Sequence, residues 1–258
     1  MNPMSGEHTS RREFLTLAGT AVALGALPTF SAAAAPPERP RTSPLVPESS
    51  ALTLWYPAPA AADAMIQEGL PVGNGRLAAL VGGDPARERL LVTDGTMWTG
   101  GRNDVLDGDG QFPYSATDFG TFTLLAELVV DVPAHAAAAV SGYRRTLDLA
   151  NGLVTASYVH DGVTYRREVF ASHPDDVIVI RMTQSGGGGY TGTITLAGTH
   201  GETAAADPAT RCASFGAAFD NGLEYGAAVT ATGGTVTGSA ISFTACPELT
   251  VEIGRAHV

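Results

Sequence analysis

An all-β fold, a large antiparallel β-sandwich of two packed sheets, is what this sequence predicts, on three observations. Short stretches rich in Thr, Val, Ile and Tyr recur from Leu52 onward. Asn-Gly, Asp-Gly and Gly-Gly pairs separate them at strand spacing, and no segment sustains a helical period over several turns. At 258 residues, 44% hydrophobic and 16% charged, the chain has apolar material for a substantial core.

Taken in order, residues 1–35 read as a signal peptide rather than as part of the fold. Ser10, the adjacent Arg11 and Arg12, then Phe14 and Leu15 have the form of a twin-arginine export signal. The apolar stretch "LAGTAVALGALPTF" that follows is broken by Gly19, Thr20, Gly25 and Pro28. It is shorter and less apolar than the ~20 residues a spanning helix needs, so no stable membrane span is expected. Cleavage is expected among the small residues 32–35, with delivery outside the cytoplasm. Residues 36–51, "PPERPRTSPLVPESSA", are rich in Pro and Ser and read as a linker. The sandwich is expected over residues 52–252.

Its first part, "PVGNGRLAALVGGDPARERLLVTDGTMWTGG", concentrates glycine. A phosphate-cradling loop would need G-x-x-x-x-G-K-[ST] between a strand and a helix, and the chain has no lysine. Gly73-Asn74-Gly75-Arg76 is therefore read as a tight turn into an apolar strand at residues 77–81, and Gly82-Gly83-Asp84-Pro85 as the next turn. Trp98, among Thr96, Met97, Thr99 and two glycines, has two readings: a flat face for stacking on a sugar ring, or a core tryptophan at a sheet edge. Asp104, Asp107 and Asp109 suggest a calcium loop, but aligning Gly110 to its invariant glycine puts Val105 and Ala116 at the first and last ligand positions. That segment is read as a solvated acidic loop.

Residues 134–140 fit a short helix or a loop. Beyond them Asn151-Gly152, Asp161-Gly162, Asn221-Gly222 and Gly233-Gly234 mark hairpin turns. Val154, Ala156 and Tyr158 share one strand face, whereas the continuous apolar run 177–180 predicts a strand covered on both faces. Cys212 and Cys246 leave a disulfide and two buried thiols equally open. No His or Cys spacing suits a zinc site, and no metal is expected.

With 26 carboxylates against 15 arginines, the net charge of −11 argues against nucleic acid or an anionic membrane as partner. Asp94, Asp118, Glu127 and Glu168 are carboxylates with no evident pairing, and His135, His160, His173 and His200 read as isolated. No G-x-S-x-G elbow occurs. The chain by itself displays no catalytic constellation.

The segments "LWYPAPA", "EGLPVGNGRLAALVGG", "ERLLVTDGTMWTGGRND" and "YRRTLDLANGLVTASYVHDGVTYRREVFASHPDDVIVIRM" resemble, in that order, the amino-terminal β-sandwich of glycoside hydrolase family 95, mostly α-L-fucosidases. The chain departs from that pattern at Thr93-Asp94, where the family has Asn-Glu, and at Gly120-Thr121-Phe122, where it has Gly-Asp-Leu. The resemblance implies an inverting hydrolase of fucosylated glycans with no organic cofactor. Catalysis would lie in a following (α/α)6 barrel, so the sandwich has no catalytic residue of its own and takes that barrel as intramolecular partner. It makes Trp98, Asn74 and Arg76 candidates for the pocket rim or the interdomain contact. Residues 253–258, Ile-Gly-Arg-Ala-His-Val, back-translate as ATC GGA AGA GCA CAC GTC, which looks like a sequencing adapter. They are read as a non-native tail that should pack poorly.

Overall fold

A computed structural model describes residues 52–101, 120–237 and 239–256. The signal motif at Arg11 and Arg12, the linker, the acidic loop and Asp118 lie outside these residues. The strands are β1 (Thr53–Tyr56), β2 (Leu70–Gly73), β3 (Leu77–Val81), β4 (Arg87–Asp94), β5 (Ala126–Asp131), β6 (Val140–Asp148), β7 (Leu153–His160) and β8 (Val163–Ser172). After them come β9 (Val177–Ser185), β10 (Tyr190–Gly198), β11 (Ala205–Asp207), β12 (Cys212–Ala218), β13 (Glu224–Ala231), β14 (Thr235–Thr237), β15 (Ala240–Cys246) and β16 (Glu248–Arg255). One short helix, α1 (Met65–Glu68), links β1 to β2.

The strands form two antiparallel sheets. Nine run in the order β1-β6-β7-β8-β9-β16-β13-β12-β11, and seven in the order β14-β15-β10-β5-β4-β3-β2. Period-two alternation builds the interior between them. From the larger sheet come Val154, Tyr158, Val169, Ile178, Ile180, Met182, Val229 and Val251; from the smaller come Leu77, Val92, Leu128, Val130, Ile194 and Ile241. A satellite cluster of Ala60, Met65 and Leu91, with Leu80 and Leu124 against it, packs α1 against the seven-stranded sheet. β1 is the edge strand of the larger sheet, and there Leu54, Trp55 and Tyr56 are exposed, with the Arg144 guanidinium over the Trp55 ring.

Asn151-Gly152, Asp161-Gly162 and Asn221-Gly222 lie in the hairpin connections β6–β7, β7–β8 and β12–β13, but Gly233-Gly234 is no hairpin turn: it leads from β13 in the nine-stranded sheet to β14 in the seven-stranded one. At β7–β8, Asp161 (φ 48°) and Gly162 (φ 77°) both take positive φ, the requirement of the tight hairpin turn. Residues 134–140 form no α-helix; they lie in two single-turn 3₁₀ segments, Pro133–His135 and Ala137–Ala139, leading into β6. The run 177–180 is covered more on one face than expected. Ile178 and Ile180 are fully buried, while Val177 and Val179 lie on the other face and are half-buried, Val179 beside Phe170 and Glu252 and Val177 beside Ser172 and Gly254.

Poor packing of the last residues is also corrected for residues 253–255. They complete β16, which pairs with β9 and β13, and Ile253 is 1% exposed. Val251, Ile253 and Arg255 continue the alternation that begins at Leu249, so the segment extends a strand already in register. Cys212 and Cys246 are free thiols. Cys212 lies in the nine-stranded sheet and Cys246 in the other, with its Sγ directed at the Gly233 carbonyl at 3.6 Å.

Candidate functional site

Three of the residues singled out in the sequence lie near one another, around the carboxylate that ends β4. Asn74 turns the chain from β2 into β3: its Oδ1 accepts from the Arg76 and Leu77 amides at 2.9 and 2.8 Å. Its Nδ2 donates to the Ser172 carbonyl at 2.8 Å and to Asp176 Oδ1 at 3.3 Å, tying this turn to the β8–β9 turn of the opposite sheet. The amide group is thus committed within the protein. Arg76 lies between Asp176 (3.6 Å) and Asp94 (3.7 Å).

Asp94 follows Leu90 and Val92 on the inward face of β4 and is 1% exposed. Its Oδ1 accepts from the Thr96 amide and hydroxyl at 2.8 and 2.5 Å. Its Oδ2 is 3.2 Å from Arg255 Nε, yet neither atom has a hydrogen-bond partner. A cavity of about 160 Å³ opens beside them, lined by Thr96, Met97, Glu224, Tyr225 and Ala256 as well.

Trp98 stands on the loop after this carboxylate and is 47% exposed, so the core reading is set aside. It forms an antiparallel bridge with Phe122, itself 50% exposed; directly paired residues project to the same side. Asn221, in the β12–β13 turn, donates to the Trp98 and Gly100 carbonyls at 2.9 and 2.7 Å and pins the loop.

The remaining carboxylates are scattered. Glu127 pairs with Arg89 on the outer face of the seven-stranded sheet, whereas Glu168 pairs with Arg166 and Arg181 on the outer face of the nine-stranded one. Glycoside hydrolysis needs two carboxyls about 5 to 10 Å apart. A sandwich core separates these two, and Asp94 is engaged by two arginines.

Two buried clusters escaped the sequence reading. Arg167 and Glu88, 1% and 0% exposed, pair at 2.8 Å between the sheets. Glu88 Oε1 accepts the Gly83 amide at 2.7 Å, Arg167 donates to the Asp84 carbonyl and Arg145 to the Gly82 carbonyl, each at 2.8 Å. Two buried arginines of the larger sheet thereby grip the 82–85 turn of the smaller. The signal was present: Arg145 is in phase with buried Leu147, and Arg167 with buried Tyr165 and Val169.

The second cluster is aromatic. His135 is not isolated: its ring lies 4.5 Å from His160 and 4.4 Å from Tyr165, and its Nδ1 meets the Tyr158 hydroxyl at 2.9 Å. Burial, then the charges of His160 and Arg167, push His135 down to about 4. His200 packs edge-on against Phe219 and touches Thr123 at 2.9 Å. Among the described residues no three His, Cys, Asp or Glu side chains gather as a metal set, and no helix is long and apolar enough to cross a membrane.

Fold and site together define a two-sheet β-sandwich domain with an exposed aromatic loop at one end and its carboxylates dispersed. The chain belongs to the family described as glycosyl hydrolase family 65, N-terminal domain, whose model matches residues 54–109 and 103–256. It is 28% identical over 172 residues to probable alpha-fucosidase A of Aspergillus niger, covering 54% of this chain and 21% of that protein. To alpha-L-fucosidase 2 of Arabidopsis thaliana it is 27% identical over 141 residues, 46% of this chain and 17% of the relative. The match thus spans about a fifth of each relative's length. Among solved structures, a putative kojibiose phosphorylase from the human microbiome aligns with a TM-score of 0.45 at 9% identity, over 81% of this chain and 33% of that one.

Proposed function

We propose that this chain is the non-catalytic amino-terminal sandwich of an exported glycoside hydrolase of the family 95 type, whose longer gene product removes terminal α-linked L-fucose or a related sugar with inversion. The observation that carries this is the alignment with relatives named as α-fucosidases, of which the matched part is about a fifth. Catalytic groups then belong to an (α/α)6 barrel encoded after this domain, and the sandwich alone is inactive. The dispersion of Asp94, Glu127 and Glu168 supports that division of labour. No organic cofactor is required for such hydrolysis, and export is assigned to Arg11 and Arg12.

Sequencing the DNA beyond codon 252 and assaying both products on a fucosylated oligosaccharide tests the reading. A helical domain downstream, activity in the long product and none in this chain are expected. A native stop codon directly after Val258, or hydrolysis by this chain alone, overturns it. Changing Arg11 and Arg12 together to lysine is expected to abolish export of the folded protein.

A second reading is favoured by Trp98 and Phe122, exposed on one side of a pinned loop: a glycan-binding module without chemistry. Saturable binding of fucosylated oligosaccharides by this chain, abolished in Trp98→Ala, would select it.

A further inference from the structure

Asn-Gly is a dipeptide prone to lose ammonia, because glycine has no side chain to keep its amide nitrogen away from the asparagine side chain. The chain has three such pairs, Asn74-Gly75, Asn151-Gly152 and Asn221-Gly222. For the reaction the glycine nitrogen must reach Cγ of the asparagine, so the hydrogen bonds that hold the amide have to open first. The fold holds the pairs to different degrees.

Asn74 is half-buried and makes four hydrogen bonds, two of them to the β8–β9 turn of the opposite sheet. Asn221 is exposed but fixed at both ends of its amide: Nδ2 donates to the Trp98 and Gly100 carbonyls, and Oδ1 accepts from the Leu223 amide. Its nucleophile is engaged as well, since the Gly222 amide donates to the Phe219 carbonyl at 2.9 Å. Asn151 is exposed in the β6–β7 turn, and among the described residues its side chain is held by one hydrogen bond, 2.7 Å from Nδ2 to Asp148 Oδ2. That bond lies within the turn itself. The paired register of β6 and β7 closes at Asp148 and Leu153, leaving Gly152 outside it.

We propose that Asn151 is a site of spontaneous covalent modification, attacked at Cγ by the Gly152 nitrogen, and that the fold selects this pair over the other two. A bond forms between Gly152 N and Asn151 Cγ while the Cγ–Nδ2 bond breaks. Nδ2 leaves as ammonia, taking the proton of the Gly152 amide. Water then opens the cyclic imide at either carbonyl and gives aspartate or isoaspartate, with no change of oxidation state. The turn exchanges a neutral donor for a carboxylate beside Asp148. The side-chain hydrogen bond from Asn151 is the main cause that holds the Asp148 carboxyl below its ordinary range, so the product moves that titration upward. Isoaspartate also lengthens the backbone next to edge strand β1, where the Leu149 amide donates to the Leu52 carbonyl.

The test is incubation of the full chain in mildly alkaline buffer, folded and in parallel unfolded in guanidinium chloride, followed by peptide mass mapping that separates asparagine, aspartate and isoaspartate. Each pair is compared with its own rate in the unfolded chain. Folding slows Asn74 and Asn221 about tenfold more than Asn151, the ratio that about 1.4 kcal/mol of extra opening cost imposes. Gly152→Ala suppresses conversion at Asn151 with an unchanged circular dichroism spectrum, because its methyl group shields the attacking nitrogen. Slowing of Asn74 or Asn221 no greater than that of Asn151 overturns selection by the fold. An inert Asn151 in the folded protein overturns the site. Undiminished conversion in Gly152→Ala, or aspartate without isoaspartate, overturns the ring-closing route.

Discussion

Glu88 and Arg167 form a buried ion pair between the two sheets. Glu88→Gln leaves the Arg167 guanidinium buried without its counter-charge and is expected to cost about 3–5 kcal/mol in urea unfolding. Replacing both with apolar residues of similar size costs less than the sum of the single changes, because neither charge is left behind. Asn74 acts through four hydrogen bonds across two turns, so Asn74→Ala is expected to lose about 1–2 kcal/mol by the same measurement. His135 gives a pH signature. Its value falls from 6.5 in the unfolded chain to about 4 in the fold, so the unfolded state binds the extra proton between those limits. Stability from this group is complete above 6.5 and is lost as pH falls toward 4, with a slope of at most about 1.4 kcal/mol per pH unit. In His135→Phe the denaturation midpoint varies less with pH across that window.

At the scale of elements, the turn between β3 and β4 and the strand β16 hold the architecture. Gly83 has φ 84°, and a Cβ there would fall 2.7 Å from both Arg145 Cδ and the Tyr143 hydroxyl. Gly83→Ala therefore strains the backbone and displaces the buried arginine together, an expected loss of about 1–3 kcal/mol. β16 lies between β9 and β13, so its end is anchored on both sides. Ile253→Ala should cost about 2–5 kcal/mol, as for a core aliphatic truncation, whereas a loosely attached tail would tolerate it without change.

For the whole molecule, stability comes from the interior between a nine-stranded and a seven-stranded sheet rather than from a cross-link. With Cys212 and Cys246 free, the melting temperature should be the same with and without reductant in a thermal scan. The sequence by itself determined the class of fold, because period-two alternation and paired turn residues are local: Val154, Ala156 and Tyr158 read as one face, and Asp161-Gly162 as a hairpin, without knowledge of any partner strand. That the chain is an amino-terminal sandwich of a glycoside hydrolase was legible for the same reason, in ordered motifs along one chain, although the motifs pointed to family 95 and the matching family model is that of family 65. What only the tertiary structure decided were matters of long-range pairing. Arg167 meets Glu88 and the 82–85 turn from a strand about eighty positions away, and Asn221 pins Trp98 from more than a hundred. Asp94 became part of a cavity only when β16 brought Arg255 to it. Burial turns such charges from solvated surface groups into groups that must be paired, and which residues become buried together depends on how the sheets stack, a property no local pattern records.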